Sequence, residues 1–169
     1  MVWLQMVGRR SAAIRAARAR AHGNSGTERG TELGLDFALV QEDEEATRKL
    51  HHWQQTLFSA QLALAAKAGK PVVLHHRKSQ PALLAELKRQ QFSQGGILHA
   101  FSGSPEQGQA FVDLGFKLGI GGTITYQRAA KTQRAIRHLP LDCFVLETDA
   151  PDQPDAFWQI GCPKAASTG

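Results

Sequence analysis

Four potential metal ligands stand where short apolar runs of this sequence end. Glu32 lies in Thr-Glu-Leu-Gly-Leu-Asp, His75 follows Pro-Val-Val-Leu, His99 follows Gly-Gly-Ile-Leu, and Asp149 follows Phe-Val-Leu-Glu-Thr. Imidazoles and carboxylates that converge suit a divalent metal such as Zn or Mn. Each residue also has a simpler interpretation: a surface carboxylate, a hydrogen-bonded structural histidine, or the start of a turn before Ala-Pro. The metal hypothesis therefore depends on all four sharing one position in the fold.

Three residues beside these candidates have the chemistry to hold a phosphate. Arg77, Ser102 and Gly103 offer a guanidinium fork and backbone amides to a phosphate group. The alternative for Arg77 is an ion pair with a neighbouring carboxylate, and the sequence favours neither. His76 is expected to support the ligands or face the substrate.

The elements that must position these residues alternate between short apolar runs and longer helical segments. Such alternation predicts an α/β fold with a parallel sheet. In a parallel barrel the carboxyl ends of the strands meet on one face, where active sites form. The predicted strands are Thr31–Leu35, Pro71–Leu74, Gly96–Leu98, Phe116–Ile120 and Cys143–Leu146.

Helix signals fill the intervals between these runs. Helices are predicted over 43–68, over 80–91 after Ser79 as N-cap, from Ser104 to before Gly115, and over 128–138. Ser104-Pro105-Glu106-Gln107 has the pattern of a capping box. Three aromatic residues at helical spacing are predicted to lie in the core, namely Trp53, Phe58 and Phe111.

Composition excludes some classes of protein. The formal net charge of +5 belongs to residues 1–30, where six arginines oppose one acid, so bulk charge is no evidence for a polyanion partner. No apolar run approaches the roughly 18 residues of a membrane span. Two cysteines make no disulfide framework, and a reducing cytoplasm is the simplest compartment. Nothing indicates an obligate protein partner.

Five motifs stand in the order in which they occur in the TatD family of deoxyribonucleases. They are Glu-Leu-Gly-Leu-Asp at 32–36, Pro-Val-Val-Leu-His at 71–75, Leu-His-Ala-Phe-Ser-Gly-Ser at 98–104, Gly-Ile-Gly-Gly-Thr-Ile-Thr-Tyr at 119–126 and Leu-Glu-Thr-Asp-Ala-Pro at 146–151. Between about residues 30 and 155 the chain therefore resembles this family of metal-dependent hydrolases. The Gly-Gly-Thr-Ile-Thr-Tyr run is similar to its bacterial TatD-like subgroup.

The resemblance implies a TIM barrel with two divalent metal ions (Mg, Mn or Zn) and hydrolysis of a phosphodiester, with DNA as the expected partner. It implies that Glu32 is a shared metal ligand and that His75 and His99 bind the second metal. Asp149 would bind metal and orient or deprotonate the attacking water, since a bound metal lowers the pKa of that water.

The sequence also departs from the family pattern. The His-x-His pair that opens the family's barrel does not occur among these 169 residues, a length below the roughly 250 of a complete barrel. The expectation is an incomplete TIM barrel that retains roughly strands four to eight. Its predicted divisions are a leader at 1–29 that does not pack into the core, a partial barrel at 30–155, and a coil tail at 156–169. Three interpretations of the leader stay open: a transit peptide, a start that is foreign to the ancestral gene, or a surface helix with a solvated charged face.

Function by resemblance is metal-dependent hydrolysis of DNA, with at most one well-formed metal site in this chain. With one ion missing, weak metal binding and little or no nuclease activity are expected. One alternative is an amidohydrolase-like enzyme acting on a small amide or ester. Another is a non-catalytic truncated remnant, which would be prone to aggregation because an unclosed barrel exposes sheet edges.

Overall fold

The structure is a computed structural model that describes residues 32–147. The predicted leader at 1–29, the predicted tail at 156–169 and the candidate ligand Asp149 lie outside these residues. Within them, no helix has the length and apolar character that a membrane crossing requires.

Five strands form one sheet in which every neighbouring pair is parallel, as the sequence predicts. In chain order the strands are β1 (Glu32–Asp36), β2 (Val72–Arg77), β3 (Gly96–Leu98), β4 (Phe116–Ile120) and β5 (Phe144–Leu146). Their spatial order is also β1-β2-β3-β4-β5, the succession that repeated strand–helix units generate. The predicted second strand ends at Leu74, whereas β2 continues to Arg77 and carries His75 inside the sheet rather than after it.

Four α-helices connect the strands: α1 (Glu44–Lys67), α2 (Gln80–Arg89), α3 (Pro105–Val112) and α4 (Ala130–His138). The capping box at Ser104 is confirmed, because its side chain accepts from the backbone N–H of Gln107 while the Gln107 side chain accepts from the backbone N–H of Ser104. Ser79 occupies the N-cap position of α2 but does not cap it. Its hydroxyl instead donates to the Leu35 carbonyl at 2.6 Å, tying the start of α2 to β1.

The core lies between the helices and one face of the sheet. Leu74, Leu98 and Leu118 on neighbouring strands are fully buried there against helix residues such as Phe58 and Phe111. The prediction that Trp53 joins them is wrong, because its residue surface is 54% exposed. Trp53 and Phe58 are five positions apart, which places them about 140° apart around a helix of 3.6 residues per turn.

The opposite face of the sheet carries the polar residues. Side chains alternate along a strand, and residues in parallel register share a face. Since Gly34 pairs with His75 and Glu32 with Val73, the positions of Glu32 and Asp36 lie on the same face as that of His75. This face, which we call the polar face, points away from the leucine core.

Replacing Gly34 by alanine is expected to separate β1 from β2. A Cβ atom at this position would overlap the backbone carbonyl oxygen of His75 and lie 2.8 Å from its carbonyl carbon. Backbone cannot yield as a flexible side chain can, so the free energy of unfolding should fall by about 1–3 kcal/mol or more. Urea unfolding followed by circular dichroism measures the loss.

The matched control for this variant is Gly121→Ala, whose Cβ would meet its nearest neighbour at 3.6 Å, an ordinary contact. A Gly34→Ala variant as stable as Gly121→Ala would show that the two strands are less closely paired than the structure has them.

Candidate metal centre

Glu32 and His75 meet on the polar face, as the sequence predicts for two of its metal-ligand candidates. The Glu32 Oε1 atom lies 3.6 Å from His75 Nδ1, and both side chains are mostly buried. Asp36, which was not among the predicted ligands, lies beside them, with Oδ2 3.9 Å from His75 Nε2. The His75 ring therefore stands between two carboxylates from the two ends of β1.

Arg77 takes the alternative that the sequence left open, an ion pair. Its Nη1 atom donates to Asp36 Oδ2 at 3.2 Å. The Arg77 side chain is nevertheless 59% exposed, so part of the guanidinium still faces solvent. Asp36 is held in place further by its backbone N–H, which donates to the Gln54 side chain, and by Ala38 N–H, which donates to Oδ1.

His99 lies on the next strand connection and pairs with a different carboxylate, that of Glu147. His99 Nδ1 is 3.0 Å from Glu147 Oε2, and the two side chains are only 5% and 4% exposed. The other carboxylate oxygen, Oε1, accepts a hydrogen bond from the backbone N–H of Ala100. Glu147 was not among the site residues predicted from the sequence, although it stands only two positions before the candidate ligand Asp149.

The two pairs belong to the same face of the sheet. Leu74 and Leu98 are register partners, and His99 N–H donates to the Leu74 carbonyl at 2.8 Å, so His75 and His99 each come directly after one of two paired residues. Within residues 32–147, however, no three of the His, Cys, Asp and Glu side chains come together as a group able to hold a metal. The expected fourth ligand, Asp149, lies outside that range.

His76 lies on the other face of β2, since strand residues alternate, and not among the ligand candidates. Its Nδ1 atom is 3.3 Å from Gln80 Nε2, and its residue surface is buried. Burial first, and then the charges of His75 and His99, lower the pKa of His76 to about 4. His76 is therefore a neutral, buried imidazole at neutral pH.

Of the three predicted phosphate-binding residues, two line a cleft and the third has its backbone N–H bonded within the protein. Arg77 and Ser102 both line a cleft of about 460 Å³. The carbonyl of Ser102 accepts from Gln80, and the backbone N–H of Gly103 donates to the Thr132 hydroxyl at 3.3 Å. The Gly103 amide is thus engaged within the protein, whereas the cations Arg77 and Lys78 both line this cleft.

A family model described as TatD related DNase matches residues 30–164 of this chain. An uncharacterized metal-dependent hydrolase of Haemophilus influenzae is 48% identical over 123 residues, which are 73% of this chain and 46% of that protein. A 3'-5' ssDNA/RNA exonuclease TatD of Edwardsiella piscicida is 40% identical over 71% of this chain and 44% of its own length. The chain thus spans less than half the length of these relatives.

Solved structures agree with these similarities. The crystal structure of YjjV, a TatD homolog from Escherichia coli, superposes with a TM-score of 0.63 at 40% identity. The match covers 85% of this chain and 51% of that one. A TatD family hydrolase from Entamoeba histolytica, at 22% identity and a TM-score of 0.52 over 78% of this chain and 43% of its own, shows the same fold.

Proposed function

This chain belongs to the TatD-related DNase family, and from that premise we propose that it takes part in metal-dependent hydrolysis of phosphodiester bonds in DNA. The observation that carries the proposal is the shared polar face, on which Glu32 and His75 meet and to which His99 is added directly after the end of β3. We further propose that β1 to β5 correspond to strands four to eight of the family's barrel.

The donor types on this face fit a divalent metal. Carboxylate and imidazole are the ligands that Zn and Mn take, and the Glu32–His75 pair is close enough for one ion to draw both side chains together. Glu32, His75, His99 and Asp149 would hold the metal. A bound divalent ion would lower the pKa of a water molecule and neutralise charge on a phosphate oxygen.

The chain's own residues set the geometry around such an ion. Asp36 lies against the second ring nitrogen of His75 and limits how that ring can turn. Asp149 is proposed to orient or deprotonate the attacking water. Because the described donors lie in two separate groups, neither of which is arranged to hold a metal, we propose that the 169-residue chain binds metal weakly.

Arg77 is proposed to bind the substrate's phosphate, with Ser102 beside it. Its guanidinium is tethered by Asp36 on one side and exposed on the other, so it can donate to a phosphate without leaving the ion pair. Both residues line the same cleft at the end of β2. The engaged amide of Gly103 gives that residue a supporting role only.

The proposal predicts slow, metal-dependent release of nucleotides from single-stranded DNA by the 169-residue chain. The measurement is hydrolysis of a labelled oligonucleotide with Mn²⁺ or Zn²⁺, repeated in the presence of EDTA, beside a panel of small amides and esters. Cleavage of the oligonucleotide alone, abolished by EDTA, is the expected result.

Two outcomes would contradict it. Turnover of the amides in preference to DNA would favour an amidohydrolase-like enzyme. Absence of both cleavage and metal binding would favour a non-catalytic role for these 169 residues.

A further inference from the structure

We propose that Glu147 is a positioning residue for His99, fixing the proton of the imidazole on Nδ1 so that Nε2 is left to bind metal. The metal-binding role of His99 rests on the proposed function, whereas the contact between Glu147 and His99 does not. The starting observation is that Glu147 Oε2 lies 3.0 Å from His99 Nδ1, and that no more than 5% of either side chain is exposed.

The Glu147 carboxylate is held by one further hydrogen bond. The backbone N–H of Ala100 donates to Oε1, while the N–H groups on either side of it, from His99 and Phe101, bond to the backbones of β2 and β4. Ala100 has φ 50°, a conformation that residues with a Cβ rarely adopt. The backbone after β3 therefore adopts an unfavourable conformation at Ala100, and in this conformation the Ala100 N–H points to the Glu147 carboxylate.

Gly119 provides the room for the carboxylate. A Cβ atom there would overlap Glu147 Oε2 and lie 2.8 Å from Oε1. The carboxylate thus rests on the bare backbone of β4, between Ala100 and His99. A side chain packed in this way, with an imidazole against one oxygen and an amide against the other, has little freedom to turn.

A carboxylate beside one nitrogen of an imidazole determines whether the other nitrogen carries the proton or a free lone pair. A neutral imidazole carries one proton, and a carboxylate can only accept, so the proton is favoured on the nitrogen that faces it. With the proton on Nδ1, the lone pair is on Nε2. Such carboxylate–histidine pairs orient metal-binding rings, and their loss typically lowers metal affinity about 10–100-fold.

The Glu147→Gln variant tests the inference because a glutamine amide has one acceptor oxygen and one donor NH₂ group, and only one of them can face His99 Nδ1. Ala100 N–H requires an acceptor, so the glutamine oxygen should face it, and the NH₂ group should then face His99 Nδ1. A donor at that position favours the lone pair on Nδ1 and the proton on Nε2. Glu147→Gln should therefore reverse the tautomer of His99.

The experiment is a two-bond ¹H–¹⁵N correlation spectrum of the full metal-free chain with labelled histidines, at mildly alkaline pH, with His99→Ala assigning the signal. The wild type is expected to show the proton on Nδ1 and Glu147→Gln on Nε2. Calorimetric titration with Zn²⁺ should show affinity lower by about 10–100-fold in Glu147→Gln and in Gly119→Ala. Gly121→Ala is the matched control and should leave both readouts unchanged, since its Cβ would meet Glu147 only at ordinary contact distances of 3.6 and 3.9 Å.

The outcomes separate this inference from the proposed function. A wild-type His99 with its proton on Nε2 overturns the inference outright, whether or not any variant folds. An unchanged tautomer in a folded Glu147→Gln variant also overturns it and leaves Glu147 a purely structural role. If the wild type binds no metal, the proposed function fails while the tautomer still decides the role of Glu147.

Discussion

Replacing Phe111 by alanine is expected to lower the free energy of unfolding by about 3–5 kcal/mol. Phe111 is fully buried in α3, and its ring meets Phe116 of β4 edge to face, with 6.3 Å between the ring centroids. Alanine would leave a cavity between helix and sheet that the neighbouring side chains fill only in part. Since a domain is stable by roughly 5–15 kcal/mol in total, the variant should unfold near ordinary temperatures.

Trp53→Ala is the control for Phe111→Ala, because it removes a still larger aromatic ring from the surface of α1. Its effect should stay within about 0.5 kcal/mol. Thermal and urea unfolding of both variants, followed by circular dichroism, measure the difference. Equal losses in the two variants would mean that α3 does not pack on the sheet as the structure shows.

Replacing His75 by alanine is expected to lower the metal affinity of the chain by more than about 100-fold, which exceeds the loss typical of a supporting residue. His75 is the donor that faces Glu32, and its removal leaves a carboxylate pair on β1 with no imidazole between them. Metal content after dialysis and calorimetric titration with Zn²⁺ measure the effect. Stabilisation of the wild type by added metal should disappear in the variant as well.

His52→Ala serves as the control for His75→Ala, since His52 is exposed on α1, away from the polar face. It removes the same chemical group and should leave metal binding at the wild-type level. Equal loss in both variants would indicate nonspecific surface binding. Metal binding that persists in His75→Ala would remove Glu32 and His75 from the proposed site.

The strands and helices were predictable because their signals are local. Short apolar runs bounded by glycine and proline, and helical segments with caps such as Ser104, identify the five strands and four helices of residues 32–147 to within a few residues. The parallel arrangement followed from the alternation of these elements, which leaves few other topologies. The prediction that Glu32 stands at the end of a strand is wrong, because Glu32 opens β1 at its amino end. It meets His75 because the register of β1 with β2 places both residues on one face of the sheet.

The partners of the site residues were decided by tertiary structure. Ser79 bonds to β1 instead of capping α2, Arg77 pairs with Asp36, and Trp53 faces solvent. Each depends on which side chains a neighbouring element happens to present, and no spacing within the sequence encodes that.

Glu147 shows most clearly what the sequence determines and what only the tertiary structure determines. The sequence by itself determined that Glu147 and Asp149 stand two residues apart after an apolar run, and that His99 ends another. Only the tertiary structure brings Glu147 to His99 across 48 positions, because β4 lies between their strands and has a glycine where the carboxylate must rest. The contact needs register, strand order and the missing Cβ at Gly119 together, and these are properties of the assembled sheet rather than of any one segment.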